Sequence, residues 1–259
     1  MEFRKQKEAK FHDEIRDKKL EEDFDKHKYL TSNKKFYSVT RRSQEFINNY
    51  LIRYCSGRRS LDYCCGNGEL TFFLAKYGSE ATGIDISSVS IQNCQKEAVK
   101  RGLERNTNFL VMDAENLKFP DNYFDLIVCA GVLHHLDIKK TYPELARVLK
   151  PEGRIICDEP LVHNPIFQLY RRRTPHLRTE WEAHHILSRK DIELAKNYFG
   201  EIETKFFHLF TLLAVPFRNL AGFNFILGVL EKIDSVLLKL PFLKWWAWQI
   251  IFILSNPKK

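Results

Sequence analysis

The sequence lacks the features of a secreted, metal-dependent or membrane-spanning protein. Its six cysteines include no pair at the spacing of a metal site, so no metal centre is expected. No signal peptide with a cleavage site is recognisable, which favours a reducing compartment for these thiols. The apolar run in residues 242–254 falls well short of the ~20 residues that a spanning helix needs. We therefore expect a cytoplasmic protein whose only membrane contact would be peripheral.

Length and charge set broad limits on what the chain does. Its 259 residues fit one sizeable α/β domain with additions, because only one set of nucleotide-site motifs is present. The formal charge of +8 suits nucleic acid, an anionic membrane surface or an acidic substrate. Net charge alone is a weak guide among these three partners.

Residues 60–70 organise the rest of the sequence. They predict a short strand, a tight turn containing Gly66 and Gly68, and the start of a helix. Glycine tolerates positive φ and lets a ligand approach the backbone, while the first turn of a helix offers free N–H groups. The next predicted strand ends in Asp85, nineteen residues after Gly66, where a dinucleotide-type site holds its ribose-binding carboxylate. Two strand ends thus predict one nucleoside site.

Strand and helix patterns alternate from residue 59 onward, which predicts a doubly wound parallel sheet. Ligands in such sheets bind beyond the carboxyl ends of the strands, and the motifs of this chain fall at those ends. The predicted strands are 60–63, 80–86, 107–112, 124–130 and 154–158, followed by one or two strands within 201–213.

Four ordered segments of this sequence resemble the class I S-adenosylmethionine-dependent methyltransferases, in particular the ubiquinone and menaquinone biosynthesis C-methyltransferases. The segments are 61–68, 83–87, 112–120, and 130–136 with 147–154. The resemblance implies a Rossmann-like, doubly wound seven-stranded α/β sheet with an N-terminal helical lid and a cap insert after the fifth strand. The spacing of apolar residues after the sheet adds a C-terminal amphipathic helical extension. The corresponding divisions are 1–57 for the lid, 58–216 for the methyltransferase domain with its cap at about 160–187, and 217–259 for the extension.

The resemblance also implies S-adenosylmethionine as the cofactor. The two oxygens of Asp85 match the two ribose hydroxyls, a pairing that no neutral side chain reproduces. Ile86 would then lie on the adenine ring, Asp113 would accept its amine, and the Ala114 N–H would meet a ring nitrogen. An alternative for Asp113 is a turn-forming role at the end of its strand.

The methionine end of the cofactor is expected at the glycine turn and the fourth strand. Asp62 either faces the ammonium group or fixes the turn. Gly66 and Gly68 provide backbone approach, and Ala130 with Gly131 leaves room for the methyl group. Cys64 stands where the family usually has Gly or Ala, so its side chain is expected to crowd the cofactor slightly.

Methyl transfer depends mainly on an in-line approach of the acceptor, and a base is needed only for a hydroxyl or a carbon acid. Structural histidines and surface arginines are the alternatives to functional roles here. The candidate bases or orienting groups are His134, His135, Glu159 and His163. The candidate acceptor contacts are Tyr37, Tyr170, Arg171 and His184, and Arg41 is a further candidate for a lid contact.

The two ends of the chain are predicted to be helical. Residues 1–28 predict a mostly solvated surface helix. Residues 223–240 predict an amphipathic helix with Ile226, Val229 and Ile233 on its apolar face and Glu231 opposite. Residues 242–254, with their clustered tryptophans, predict either a helix in the membrane interface or one that packs on the domain or on a second subunit.

Three functions are compatible with these patterns. The first is a methyltransferase of a small, apolar or lipid-like acceptor, and the second is the same chemistry on a soluble metabolite in a homodimer. The third is a non-catalytic cofactor-binding protein. Nucleic-acid methylation is disfavoured, because no Asn/Asp-Pro-Pro-Tyr/Phe motif follows the fourth strand. A metal-assisted O-methyltransferase is disfavoured for want of a carboxylate cluster at that place.

Overall fold

The computed structural model of the chain describes residues 3–16, 34–174, 181 and 185–259. A seven-stranded sheet has the order β3-β2-β1-β4-β5-β7-β6, in which β7 runs antiparallel to both of its neighbours. The doubly wound fold predicted from the sequence is confirmed. The strands are β1 Arg59–Tyr63, β2 Glu80–Asp85, β3 Thr107–Val111, β4 Phe124–Ala130, β5 Leu149–Pro160, β6 Phe199–Phe207 and β7 Gln249–Pro257.

Helices flank the sheet, and several begin at the capping residues that the sequence offers. Ser87 accepts a hydrogen bond from the N–H of Ser90, and Asn164 caps the helix after β5 in the same way. The described helices are α1 Phe3–Arg16, α2 Lys34–Tyr37, α3 Arg41–Cys55, α4 Glu69–Lys76, α5 Ser88–Arg101, α6 Ile138–Val148, α7 Pro165–Arg173, α8 Arg189–Leu194 and α9 Phe223–Leu237. Short 3₁₀ turns cover Leu133–His135, Ala195–Asn197, Thr211–Phe217 and Leu243–Trp246.

The central strands are buried on both faces, as parallel strands covered by helices must be. Leu61, Ile84 and Ile127 have no exposed surface. Burial of this kind is worth about 1.5–3 kcal/mol for each large aliphatic side chain. The packed strands therefore give the carboxyl ends, where the polar residues lie, a rigid base.

The prediction of a helix over residues 242–254 is wrong. Residues 249–257 form β7, which pairs with β5 on one side and β6 on the other. Ile250, Ile251, Phe252 and Ile253 are all buried, and β-branched side chains favour a strand in a two-sided core. The sheet therefore continues past the domain boundary predicted at residue 216.

The helix predicted in residues 223–240 exists as α9, but two of its carboxylates are buried and part of its apolar face is exposed. Glu231 and Asp234 are about 95% buried, whereas Val229 and Val236 are exposed. Arg41 forms two hydrogen bonds to Glu231, at 2.6 and 2.7 Å, and three backbone N–H groups donate to Asp234. Paired carboxylates can be buried, and this pairing overrides the apolar periodicity. In the described part of the chain, no helix is long and apolar enough to cross a bilayer.

The helix α1 is not a solvated surface helix over its described residues. Asp13 Oδ1 accepts hydrogen bonds from the Ser87 hydroxyl at 2.6 Å and from the Val89 N–H at 3.2 Å, at the start of α5. The Asn93 side chain donates to the carbonyl of Arg16. These contacts fix α1 against α5, next to the carboxyl ends of β2 and β3.

Candidate functional site

A cavity of about 630 Å³ opens at the carboxyl ends of the parallel strands. Strand order arranges its lining from one side to the other: β3 and β2 lie at one edge, β4 and β5 in the middle, and β7 on the far side. The described residues that line it include Arg4, Lys5, Glu8, His12, Arg16, Phe36, Tyr37, Cys64, Gly66, Asp85, Ile86, Asp113, Ala114, Glu115, Ala130, Gly131, His134, His135, Asp158, Phe167, Tyr170, Arg171 and Trp248.

Asp62 holds the turn between β1 and α4. Its Oδ2 accepts hydrogen bonds from the N–H of Thr71 at 2.9 Å and from the Thr71 hydroxyl at 2.7 Å. Burial raises the pKa of Asp62 to about 6, although these two hydrogen bonds oppose the shift. Of the two roles that the sequence left open, the geometry supports fixing the turn.

The three small positions of the turn differ in what they do. Gly66 lines the cavity with φ +55°, as a backbone approach site requires. Gly68 has φ +77°, and a Cβ there would lie 3.0 Å from Cys94 Sγ and Phe109, so glycine serves helix packing. Cys64 adopts φ +61° without being glycine. This conformation explains why a small residue, above all glycine, suits position 64.

Asp85 is the centre of the polar end of the cavity. Its Oδ2 accepts the Gly66 N–H at 2.9 Å and contacts Arg16 Nη1 at 3.3 Å, and its Oδ1 accepts the Ser87 N–H at 2.8 Å. The carboxylate thus joins the glycine turn to the start of α5. Its position at the end of β2 is the one predicted from the sequence.

Asp113 and Glu115, after β3, are paired with cations of α1. Lys5 Nζ lies 2.7 Å from Asp113 and 2.9 Å from Glu115, and Arg4 also pairs with Glu115. Burial opposes ionisation of Glu115, but hydrogen bonds from the Asp137 N–H and Arg4 lower its pKa overall. Asp113 Oδ1 also accepts the Glu115 N–H at 2.9 Å, so Asp113 forms the predicted turn and faces the cavity as well.

Sequence reasoning missed the α1 cations. Arg16 lies so close to the glycine turn that a Cβ on Gly66 would be 3.1 Å from its guanidinium. Charged residues spaced along a helix normally indicate a solvated face, so no local pattern places Arg4, Lys5 and Arg16 in a cavity. The pairing of α1 with strands far along the chain carries that information.

Sequence reasoning also missed an acidic group, Asp158, at the end of β5. It faces the cavity next to Gly131, whose N–H donates to the Asp158 carbonyl at 2.7 Å. Asp158 Oδ1 is buried and has no hydrogen-bond partner among the described residues. Burial, with the adjacent Glu159 carboxyl, raises the pKa of Asp158 to about 7. Such a carboxyl changes protonation near neutral pH, as a general base must.

His134, which lines the cavity, is paired with the fully buried Glu159 behind it. His134 Nδ1 lies 2.7 Å from Glu159 Oε2, and Glu159 Oε1 accepts the N–H groups of Val132 and Leu133, each at 2.7 Å. Glu159 is fully buried, and this burial raises its pKa to about 7. His134 lines the cavity, whereas Glu159 orients the imidazole and holds the turn after β4.

The other histidines predicted as site residues do not share one location. His135 lines the cavity. The prediction for His163 is wrong, because its Nε2 accepts the Arg189 N–H at 3.0 Å at the start of α8, outside the cavity lining. Burial lowers the pKa of His163. His184 lies outside the described residues.

Aromatic side chains from distant parts of the chain form the far side of the cavity. Phe167 stacks on Trp248 with centroids 5.0 Å apart, and Phe36 packs 5.1 Å from both Phe167 and Tyr170. Tyr37, 62% exposed, completes this set, which we call the aromatic wall. The aromatic wall is Phe36, Tyr37, Phe167, Tyr170 and Trp248.

Two arginines predicted for the acceptor region have different positions. Arg171 lines the cavity near the aromatic wall, donates to the Leu161 carbonyl at 3.2 Å and lies over the Phe167 ring. Arg41 is paired with Glu231 of α9, so the predicted lid contact of Arg41 is wrong. Trp248, which the sequence placed in a peripheral helix, is part of the cavity instead.

The polar end of the cavity fits S-adenosylmethionine. Asp85 offers carboxylate oxygens for the ribose, Asp113 and the backbone of Ala114 face the position expected for adenine, and Ile86 lines the same part. A carboxylate has about four acceptor positions, and Asp85 already uses three. Because the two N–H donors belong to the backbone, Arg16 is the partner that two ribose hydroxyls would displace.

Comparisons with known proteins agree with this geometry. Residues 61–157 match the family described as methyltransferase domain. The chain is 34% identical over 137 residues to an uncharacterised methyltransferase, YcgJ, of Bacillus subtilis, covering 48% of this chain and 54% of that protein. It is 36% identical over 110 residues to the ubiquinone/menaquinone biosynthesis C-methyltransferase UbiE of Zymomonas mobilis, covering 42% and 45%. The chain spans about half the length of the curated relatives it matches.

Solved structures extend the similarity over most of the fold. The geranyl diphosphate C-methyltransferase of Streptomyces coelicolor, solved with Mg²⁺, geranyl diphosphate and S-adenosylhomocysteine, aligns with a TM-score of 0.58. The alignment covers 83% of this chain and 80% of that chain at 12% identity. At this identity the likeness concerns the fold alone.

Proposed function

We propose that this chain, whose residues 61–157 match the methyltransferase domain family, is a class I S-adenosylmethionine-dependent methyltransferase of a small, apolar or lipid-like acceptor. One observation carries the proposal: a single cavity joins the carboxylates of β2 and β3 to the aromatic wall. Strand order places the end of β4 and β5, with Gly131 and Asp158, between these two parts. An acceptor on the aromatic wall would therefore meet the methyl donor beside Asp158.

The cofactor supplies an electrophilic methyl group, so the protein must chiefly bind, orient and exclude water. Asp85 would hold the ribose after Arg16 gives up its contact with Oδ2. The released guanidinium then suits the carboxylate of the methionine moiety, because it already lies against the glycine turn. Gly131 has open space at the position of a Cβ, which leaves room beside β4.

Asp158 is the group best suited to take a proton from the acceptor. Asp158 lines the cavity, its buried Oδ1 has no hydrogen-bond partner among the described residues, and its pKa of about 7 suits proton transfer at neutral pH. His134 lines the same region, and Glu159 holds its imidazole in place. An acceptor with a hydroxyl or an acidic C–H group would use such a base.

The aromatic wall favours a flat or extended apolar acceptor. All of its side chains except that of Tyr37 belong to or pack against a buried cluster that also contains Leu227 of α9 and Val215. Aromatic faces contribute through buried area and through offset or edge contacts with another ring. Arg171 at the edge of this wall supplies a cation for an oxygen of the acceptor.

The outer surface of α9 suits delivery from a membrane. Apolar side chains recur every three or four residues along it and its following turn, and they are exposed: Phe225 77%, Val229 44%, Ile233 39%, Val236 63% and Leu240 47%. We call this set the α9 stripe. The exposed Lys232 and Lys239 flank it, which favours an anionic lipid surface. The inner side of α9 packs in the same cluster as the aromatic wall.

The proposal is tested by methylation of unpurified acceptors. Protein is incubated with S-adenosylmethionine carrying a deuterated methyl group, together with either a lipid extract or an aqueous metabolite extract, and labelled products are found by mass spectrometry. We expect a labelled product in the lipid extract. Asp158→Asn should form much less of it while binding S-adenosylhomocysteine like the parent. Label only in the aqueous extract would favour the soluble-metabolite alternative, and no label in either would contradict the proposal.

Membrane delivery is tested separately by flotation with anionic vesicles. The variant Phe225→Ser with Val236→Ser removes two members of the α9 stripe, and Val99→Ser, 67% exposed on α5, is the matched control. Parent and control should float with vesicles at low salt, and the α9 variant should not. A parent that ignores vesicles but sediments as a dimer, with a monomeric α9 variant, would favour the homodimer.

A further inference from the structure

Three potential metal ligands, none of them assigned to the cofactor, meet on the cavity wall. Glu8 and His12 lie one turn apart on α1 and therefore point from the same side of the helix. His135 comes from the 3₁₀ turn after β4. One ligand atom from each of the three lies within 4.8 Å of the other two. All three residues line the cavity.

The separations within this group are longer than hydrogen bonds. His12 Nε2 lies 3.6 Å from Glu8 Oε2, and His135 Nδ1 lies 3.5 Å from the same oxygen. Hydrogen bonds between such atoms are about 2.7–3.2 Å long. With bonds of about 2.0–2.2 Å to a tetrahedral zinc ion, ligand atoms are about 3.4 Å apart. The spacing therefore matches the edges of a coordination tetrahedron better than direct pairing.

The surroundings also favour a cation over a closed hydrogen-bond network. His135 Nδ1 is buried and has no hydrogen-bond partner among the described residues. The rings of His12 and His135 meet edge to face, 5.6 Å apart. Glu8 Oε2 lies within 3.6 Å of both His12 Nε2 and His135 Nδ1, so the carboxylate stands between two imidazoles.

We infer that Glu8, His12 and His135 form a binding site for one divalent transition-metal ion of the zinc or ferrous type. Two imidazoles and one carboxylate are the ligand set that such ions take in sites with open positions. The ligands line the cavity, so an open position would be available to an oxygen atom of a bound molecule. Binding of an acceptor oxygen to the metal rests on the proposed function, in which the acceptor occupies the cavity. The metal site itself is independent of that proposal.

Sequence reasoning missed this site and expected no metal centre. The signal available was the Glu8–His12 spacing on a predicted helix, which places both side chains on one face. The third ligand lies far along the chain, in the motif after the fourth strand. Only the docking of α1 brings these parts together.

The site is tested with Co²⁺ as a spectroscopic probe on the full, tag-free chain after treatment with a chelator. Tetrahedral or five-coordinate Co²⁺ absorbs visible light far more strongly than hydrated Co²⁺, so a titration gives both stoichiometry and geometry. We expect one strong site with nitrogen and oxygen ligation, and competition by Zn²⁺. His12→Gln and Glu8→Gln should each weaken Co²⁺ binding on the order of 100-fold or more, since even changes around the ligands cost 10- to 100-fold.

The exposed His185 provides the matched control, and His185→Gln should bind Co²⁺ like the parent. Circular dichroism and thermal unfolding show whether each variant is folded. If His12→Gln does not fold, the Co²⁺ affinity of Glu8→Gln tests the site. A parent without a strong Co²⁺ band would overturn the inference. So would folded His12→Gln and Glu8→Gln variants that keep the band. Methylation assays are not needed for either outcome, so failure of the proposed acceptor would leave this test intact.

Discussion

The two ends of the cavity are built by opposite chemistry. At β2 and β3, carboxylates are held by backbone N–H groups and by α1 cations, as Asp85 and Asp113 show. At β7 and α7, uncharged rings pack on one another, as Phe167 and Trp248 show. The first end combines groups at the ends of the parallel strands with cations of α1, whereas the second combines helix side chains with Trp248, directly before β7. We propose that the first end binds the cofactor and that the second binds the acceptor.

The middle of the cavity offers the largest test of this contrast. The Asp85 carboxylate is paired with Arg16. Asp158 is instead a buried carboxyl with a pKa of about 7, whereas the ordinary pKa of an aspartate is 3.8. A raised carboxyl pKa means that the native state holds the proton more tightly than the unfolded state does. Its stabilising contribution is complete below pH ~4 and is lost as pH rises through ~7.

Asp158→Asn should remove the contribution of one of three described carboxyls with raised pKa values, Asp62, Asp158 and Glu159. The stability lost by the parent between pH 4 and 8 should shrink by up to ~4 kcal/mol, an upper value because it takes the full pKa shift. Urea unfolding at several pH values measures the effect. Equal pH profiles for parent and variant would mean that Asp158 is not a buried, raised carboxyl.

The polar end is tested by Asp85→Ala. The variant should bind S-adenosylmethionine and S-adenosylhomocysteine more weakly by on the order of 2–3 kcal/mol, because the ribose is common to both. Calorimetry measures the loss, with the exposed Asp121→Ala as a control that should bind like the parent. Unchanged affinity in a folded Asp85→Ala protein would place the cofactor elsewhere.

The aromatic end is tested by Tyr37→Ala, since Tyr37 is 62% exposed and its loss spares the core. We expect the KM for the acceptor to rise about fivefold, equivalent to ~1 kcal/mol, with unchanged cofactor affinity. Tyr77→Ala, 39% exposed and outside the cavity lining, serves for comparison. If Tyr37→Ala lost as much cofactor affinity as Asp85→Ala, the two ends of the cavity would not have separate ligands.

The smallest expected effect concerns the turn itself. Cys64 holds φ +61°, a conformation that costs a residue with a Cβ about 1–2 kcal/mol relative to glycine. Cys64→Gly should therefore raise the free energy of unfolding by about 0.5–1 kcal/mol, after the entropy that glycine adds to the unfolded chain. Cys64→Ala keeps the strain and should not be stabilised. Thermal melts of the two variants decide between strain and packing.

Local patterns of sequence predict what neighbouring residues determine. The glycine turn and Asp85 could be predicted, because strand, turn and helix follow one another within a few residues. Asp158 was missed, since its importance depends on burial and on the absence of a described partner for Oδ1. Arg16 and Lys5 were missed because only the docking of α1 brings them to Asp85 and Asp113.

The errors in the last quarter of the chain have a common physical cause. Sequence reasoning placed an apolar face of α9 opposite Glu231, but Glu231 is buried and pairs with Arg41. The clustered Trp245, Trp246 and Trp248 suggested a helix through residue 254, although the isoleucines that follow them are typical of a buried strand. Hydrophobic pattern alone does not say which side of an element is covered, or by what.

The position of β7 between β5 and β6 has a consequence for synthesis. About forty residues separate the end of β6 from the start of β7, so β5 is an open edge until residues 249–257 leave the ribosome. Until then, β6 has no strand partner and β5 is paired with β4 on one edge only. Exposed strand edges promote pairing with other chains. Assembly of the sheet ends with the insertion of one apolar strand, which makes these few residues the step on which a productive fold depends.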